Sequence, residues 1–145
     1  MNSKIVESQN FLESLPPHLI ERAYLKASGR PNHEGKFVLY WTHHALRTDE
    51  NPALEVAILL ADKLELPLLV YQGLSEKYRF ASDRHHTFIL EAARDLEAKY
   101  AQLGIAYALH VDRIGTRHPR LAHLVKSASI MVTDDFPIEA TMQWT

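Results

Sequence analysis

Short apolar runs alternate with amphipathic segments over most of the chain, and no other feature restricts the fold as tightly. The runs are Phe37 to Trp41, Leu68 to Tyr71, Ala106 to Leu109 and Ile130 to Thr133. Each is continuous rather than alternating in polarity and too short for a buried helix, and the first carries aromatic and β-branched residues. Such runs suit strands covered on both faces. Between them lie stretches with helical periodicity. Asn51-Pro52 opens the first with a good N-cap followed by a proline suited to the first turn. Its apolar face is Ala53, Leu54, Ala57, Ile58, Ala61 and Leu64. The second is expected over 84–103, with Phe88, Ile89, Ala92, Ala93, Leu96, Tyr100 and Leu103 as its stripe and Gly104 as its stop. Asp95 and Lys99 are spaced as an i,i+4 pair on its outer face. A third follows Pro119, and Ile138 to Trp144 reads as the start of a fourth. The order β-α-β-α-β-α-β predicts a Rossmann-like, three-layer α/β/α fold with a mostly parallel sheet.

Residues 1–35 differ in pattern. Phe11, Leu12 and Leu15 mark one short helix, and Leu19, Ile20, Ala23 and Tyr24 another, separated by Pro16-Pro17. Ser28 to Gly35 is a loop by its turn residues. The expected organisation is therefore a helical N-terminal extension over 1–35, packing on the domain or on DNA, and an α/β domain over 36–145. Thr145 falls inside an expected helix, which reads as a truncation point.

Composition excludes several chemistries. The chain has 145 residues and no cysteine, so thiolate catalysis, zinc–thiolate sites and disulfides are ruled out. A reducing cytoplasm is the expected location. No stretch approaches the roughly 20 apolar residues of a membrane span. The formal net charge is −2, so a nucleic-acid backbone is not expected to be gripped by this domain alone. No G-x-G-x-x-G or Walker string occurs, and no G-x-S-x-G elbow. The adjacent pairs His43-His44 and His85-His86 lack the spacing that directs two imidazoles at one metal, and no metal site is expected.

In a doubly wound sheet, ligands bind beyond the carboxyl ends of the strands. Thr42 and His43 follow the first run, Tyr71 and Gln72 end the second, Asp112 closes the third, and Asp134, Asp135 and Phe136 follow the fourth. Together they would ring a crevice for a planar ligand; otherwise they are loop and capping residues. The segment Tyr78 to Phe88, with Arg79, Arg84 and two histidines, reads either as a small basic patch or as a helix start. In the second reading, which is favoured, Ser82 or Asp83 is the N-cap and Arg84 pairs with a carboxylate. Trp41 and Trp144 read as packing residues ahead of electron carriers.

Ordered strings carry a family resemblance. Phe37 to Trp41, then Arg47, then Asn51-Pro52-Ala53-Leu54 resembles the opening strand and first helix of photolyases and cryptochromes, where "DN-x-AL" is usual and Glu50 here replaces the aspartate. Tyr78 to Leu90 resembles the "Y-x-x-A-x-x-R-H-x-x-F-M-L" segment of class II photolyases in particular. Leu103 to Ile105, Val132 to Asp134 and Gln143-Trp144 follow in the same order. After Asp134 the basic pair common in that family is replaced by Asp135 to Glu139.

The resemblance implies the N-terminal domain of a deoxyribodipyrimidine photolyase. Such a protein binds FAD in a helical C-terminal domain that this chain lacks, and uses light to split cyclobutane pyrimidine dimers in UV-damaged DNA. The N-terminal domain would be a scaffold and a possible site for an antenna chromophore, a deazaflavin or a folate. The crevice residues would then be chromophore contacts and none of them catalysts. FAD is not expected to bind this chain alone, and an apolar face meant for the second domain is expected to be exposed. Two alternatives share the fold: a cryptochrome-type light sensor and a stand-alone nucleotide-binding module.

Overall fold

The computed structural model describes residues 11–26, 31–76, 81–113, 115 and 118–135. Phe136, the Ile138 to Trp144 helix, Trp144 itself and the Tyr78 to Phe80 part of the resemblance lie outside the described residues. The elements are α1 (Pro17–Ile20), β1 (Val38–Thr42), α2 (Pro52–Leu64), β2 (Leu68–Ser75), α3 (Asp83–Gln102), β3 (Ala106–Asp112), α4 (Arg120–Ser127) and β4 (Ile130–Thr133). All neighbouring strands pair in parallel, in the order β3-β2-β1-β4. The fold is Rossmann-like α/β.

Side-chain alternation along the strands sorts the core into two layers. Val38, Tyr40, Leu68 and Val70 pack with Leu54, Ala57, Leu60 and Ala61 of α2 and Leu96 and Tyr100 of α3. Leu39 and Tyr71 point the other way, toward Ala128 and the half-buried Leu121 and Leu124 of α4. Among the described residues, α2 and α3 therefore cover one face and α4 the other, as right-handed crossovers require when the chain returns past β1 to form β4. Tyr100 and Tyr107 stack at 5.4 Å between the α3 and β3 layers.

Local signals end the helices where the sequence predicts. Asn51 Oδ1 accepts the Leu54 N–H at 3.1 Å. Gly104 adopts φ +70°, and beside it Ile105 N–H reaches Tyr100 O while Gly104 N–H reaches Ala101 O. That paired closure needs a left-handed residue, which glycine adopts without penalty.

Several expectations are corrected. β2 continues to Ser75 instead of giving way to a loop at Gly73, because Gly73, Leu74 and Ser75 pair with His110, Val111 and Asp112 of an equally long β3. The first turns of the α3 stripe fail: Phe88 is 69% exposed, and only Ala93, Leu96 and Tyr100 are buried. α3 is 20 residues long, about 30 Å at 1.5 Å per residue, and its first turns outreach the sheet they would cover. Lys99 approaches Asp49, at 3.8 Å, and makes no ion pair with Asp95. α1 stops at Ile20, so Ala23 and Tyr24 are not helical.

The N-terminal extension packs on the domain. Lys63 Nζ, in the last turn of α2, lies 5.0 Å from the centre of the Phe11 ring. His18 Nε2 lies 3.0 Å from Glu55 in the first turn. Leu15 and Leu19 are buried, and the Tyr24 hydroxyl donates to Asp135 just after β4. Farther on, Gly35 lies so close to Ser129 that a Cβ there would sit 2.2 Å from its backbone nitrogen.

Candidate functional site: the crevice between β1 and β4

The chain order places β2 and β3 on one side of β1 and β4 on the other, so the topological switch point lies between β1 and β4. What fills it is Asp134. One carboxylate oxygen accepts the His43 N–H at 2.8 Å. The other accepts His44 N–H at 2.5 Å and Ala45 N–H at 2.6 Å. Three successive backbone donors from the loop after β1 thus converge on one side chain from the end of β4.

The rest of that loop is held from below. Thr42, buried, donates its hydroxyl to Ala45 O at 3.2 Å. Asn51 Nδ2 is within 3.1 Å of Tyr40 Oη, 3.2 Å of Ala45 O and 2.9 Å of Arg47 O. Arg47 in turn donates to Glu50 O. Asn51 is 5% exposed, so its amide needs the partners that these part-buried bonds supply. The braced loop presents a short aromatic platform: the rings of Trp41 and His43 stack at 4.9 Å, and His44 tilts against His43 at 4.3 Å. Burial lowers the His43 pKa below the usual imidazole range, His44 lowers it further, and Asp134 opposes both.

The residues expected to ring one crevice fall into two groups. Thr42, His43 and Asp134 meet at the β1/β4 end, while Asp135, one residue on and exposed, accepts the Tyr24 hydroxyl. Tyr71 and Gln72 lie inside β2 rather than at its end. Gln72, 3% exposed, accepts the Tyr107 hydroxyl at 2.5 Å on the α2/α3 face. Tyr71 faces α4; burial raises its pKa, nearby Asp112 adds to the rise, and Arg120 opposes it. Asp112 stands at the end of β3, two strands from β1, or about 10 Å at the usual strand spacing. Sequence reasoning missed two contributors. Tyr40 reads as core, and nothing in a linear pattern marks its hydroxyl as a partner of Asn51. Trp41 reads as packing, and only its stack on His43 brings it to the site.

An open depression of about 380 Å³ lies elsewhere, lined by Ser82, Arg84, His85 and Phe88 at the start of α3. Ser82 is the expected N-cap, accepting His85 N–H at 3.3 Å, but Arg84 makes no ion pair among the described residues. No group of three or more His, Asp or Glu side chains able to hold a metal occurs among the described residues, and none of their helices is long and apolar enough to cross a membrane.

Residues 38–143 match the sequence profile of the DNA photolyase family. The chain belongs to that family. Over 114 residues it is 31% identical to a deoxyribodipyrimidine photo-lyase from Methanothermobacter thermautotrophicus, an alignment covering 79% of this chain and 25% of the relative. The chain thus spans about a quarter of the length of that photolyase. Within the family it corresponds to the N-terminal α/β domain. The matched span begins at the first residue of β1 and includes every strand among the described residues, the switch-point loop and Asp134.

Proposed function

We propose that this chain is the front domain of a light-driven deoxyribodipyrimidine photolyase. The whole protein repairs cyclobutane pyrimidine dimers in UV-damaged DNA by electron transfer from reduced FAD held in a helical domain beyond this chain. The observation that carries this reading is the family match across all four strands of the described residues, joined to 31% identity with a protein named for that reaction. The formal net charge of −2 agrees with a domain that leaves most phosphate contacts to the rest of the protein.

Within that protein the domain serves as scaffold and as the seat of an antenna chromophore, a deazaflavin or a folate. Such a group absorbs light and passes the excitation on without chemical change. The residues at the switch point fit a planar ring: Trp41 and His43 offer a half-buried aromatic face, and Thr42, Asn51 and Asp134 hold the loop that carries it. Asp135 would border that crevice, while Tyr71, Gln72 and Asp112 would shape its β2/β3 side.

The test is repair of thymine cyclobutane dimers by the full-length protein under near-UV or blue light, with a dark control. Light-dependent restoration of thymine is expected. Bound flavin without dimer splitting would overturn the repair reading in favour of a light sensor.

A further inference from the structure

Converging backbone N–H groups at the carboxyl end of a strand form a concavity that ordinarily takes an anion, commonly a ligand phosphate. In doubly wound folds the phosphates of a bound nucleotide sit in that part of the molecule. Here the three donors of His43, His44 and Ala45 already face a full negative charge, because Asp134 crosses the switch point from β4 and engages all three at 2.5 to 2.8 Å. A phosphate entering the crevice would have to displace a carboxylate tethered in place, whose effective concentration is of millimolar order or higher. It would also meet like charge. We propose that Asp134 is a built-in substitute for a ligand phosphate: it fills the nest formed by residues 43–45 and sets the crevice to take a ring that carries no phosphate there. Asp134 is thus a specificity-determining residue. It does not touch the ring; it removes the anchor that a nucleotide would use, and leaves the Trp41–His43 face as the recognition surface.

The inference rests on the chromophore reading for the nature of the ligand, but the nest can be tested without one. Inorganic phosphate is titrated at constant ionic strength into the wild-type chain, Asp134→Ala and Asp134→Asn, and stability is read by thermal and urea unfolding. Asp134→Ala empties the nest and is expected to gain phosphate-dependent stability. Its folded-to-unfolded ratio should rise about tenfold when phosphate reaches about ten times its dissociation constant. If this variant is unfolded in phosphate-free buffer, phosphate is expected to restore its fold. Wild type, with the nest filled, and Asp134→Asn, with the nest blocked by an amide of the same shape, are expected to show no phosphate dependence. A purely structural role would lower stability in both variants and give phosphate dependence in neither. The proposal is overturned by phosphate binding to wild type at this loop, by a folded Asp134→Ala indifferent to phosphate, or by one that stays unfolded at every phosphate concentration. Each of those results leaves the chromophore reading standing. Conversely, failure of the wild-type crevice to bind a deazaflavin or folate leaves the phosphate result intact.

Discussion

The chain enters a helix twice in closely similar ways, and the two places end in opposite environments. α2 begins behind Asn51 and α3 behind Ser82; both caps accept the N–H three residues on, at 3.1 and 3.3 Å. Each helix then carries an apolar residue within two turns. Leu54 is 2% exposed under the sheet, whereas Phe88 is 69% exposed beyond it. Asn51 is nearly buried and reaches a tyrosine hydroxyl and two loop carbonyls besides its capping bond, while Ser82 is exposed. A cap signal marks a helix start equally well in both cases. What surrounds the cap decides whether it also organises a site.

The apolar residues give the widest separation between the two. Leu54→Ala should cost about 3 kcal/mol, as a buried leucine does when a cavity replaces it, while Phe88→Ala should change stability by less than about 0.5 kcal/mol. Urea denaturation of both variants checks this, and a large loss from Phe88→Ala would mean that the first turns of α3 are covered. The caps should differ next. Asn51→Ala removes a cap and takes a donor from the part-buried Arg47 carbonyl and from the buried Tyr40 hydroxyl, for an expected loss of about 3 kcal/mol; Ser82→Ala should lose about 1 kcal/mol or less. Equal losses would collapse the distinction between the loops.

Alkali probes the floors beneath the two helices. Burial raises the pKa of Tyr40, under the first loop, above the ordinary 10.0, and that of Tyr107, stacked on Tyr100 of α3, to about 12. A tyrosine whose folded pKa is raised binds its proton more tightly in the native state. Its contribution is complete below pH 10 and is lost as pH rises toward 12. Stability should therefore be level up to about pH 10 and fall above it, with tyrosinate absorbance appearing in step with unfolding. Tyr107→Phe should flatten part of that fall while leaving the buried Gln72 carbonyl without its donor. The smallest effect is expected where the two regions touch at the surface. Lys99 and Asp49 are both mostly exposed at 3.8 Å, so Lys99→Ala should shift stability by less than about 0.5 kcal/mol and the shift should vanish at high salt.

The architecture was legible because it rests on periodicity. Continuous apolar runs, the Asn51-Pro52 start and the Gly104 stop each follow from local backbone and side-chain physics, and the β-α alternation leaves few topologies for a parallel sheet. The site was legible only in part. Residues 42, 43, 134 and 135 follow from the rule that ligands lie beyond strand ends. The rule assumes that strand ends are known, and β2 runs three residues past Gln72 because β3 offers it partners up to Asp112. Tyr71 and Gln72 therefore moved into the sheet. Phe88 departs from its pattern for a related reason: helical spacing shows which residues share a side of α3, not what lies beneath them.

By itself the sequence determined the order of elements, the caps, the absence of thiol chemistry and, through its ordered strings, membership of the photolyase family. Tertiary structure alone decided that Asp134 turns its carboxylate onto the loop after β1, that Asn51 reaches Tyr40, and that Trp41 lies against His43. Those contacts join residues up to 91 positions apart. They arise from strand order and register, which no local propensity encodes, and they convert a row of loop residues into a crevice with its anion site already filled.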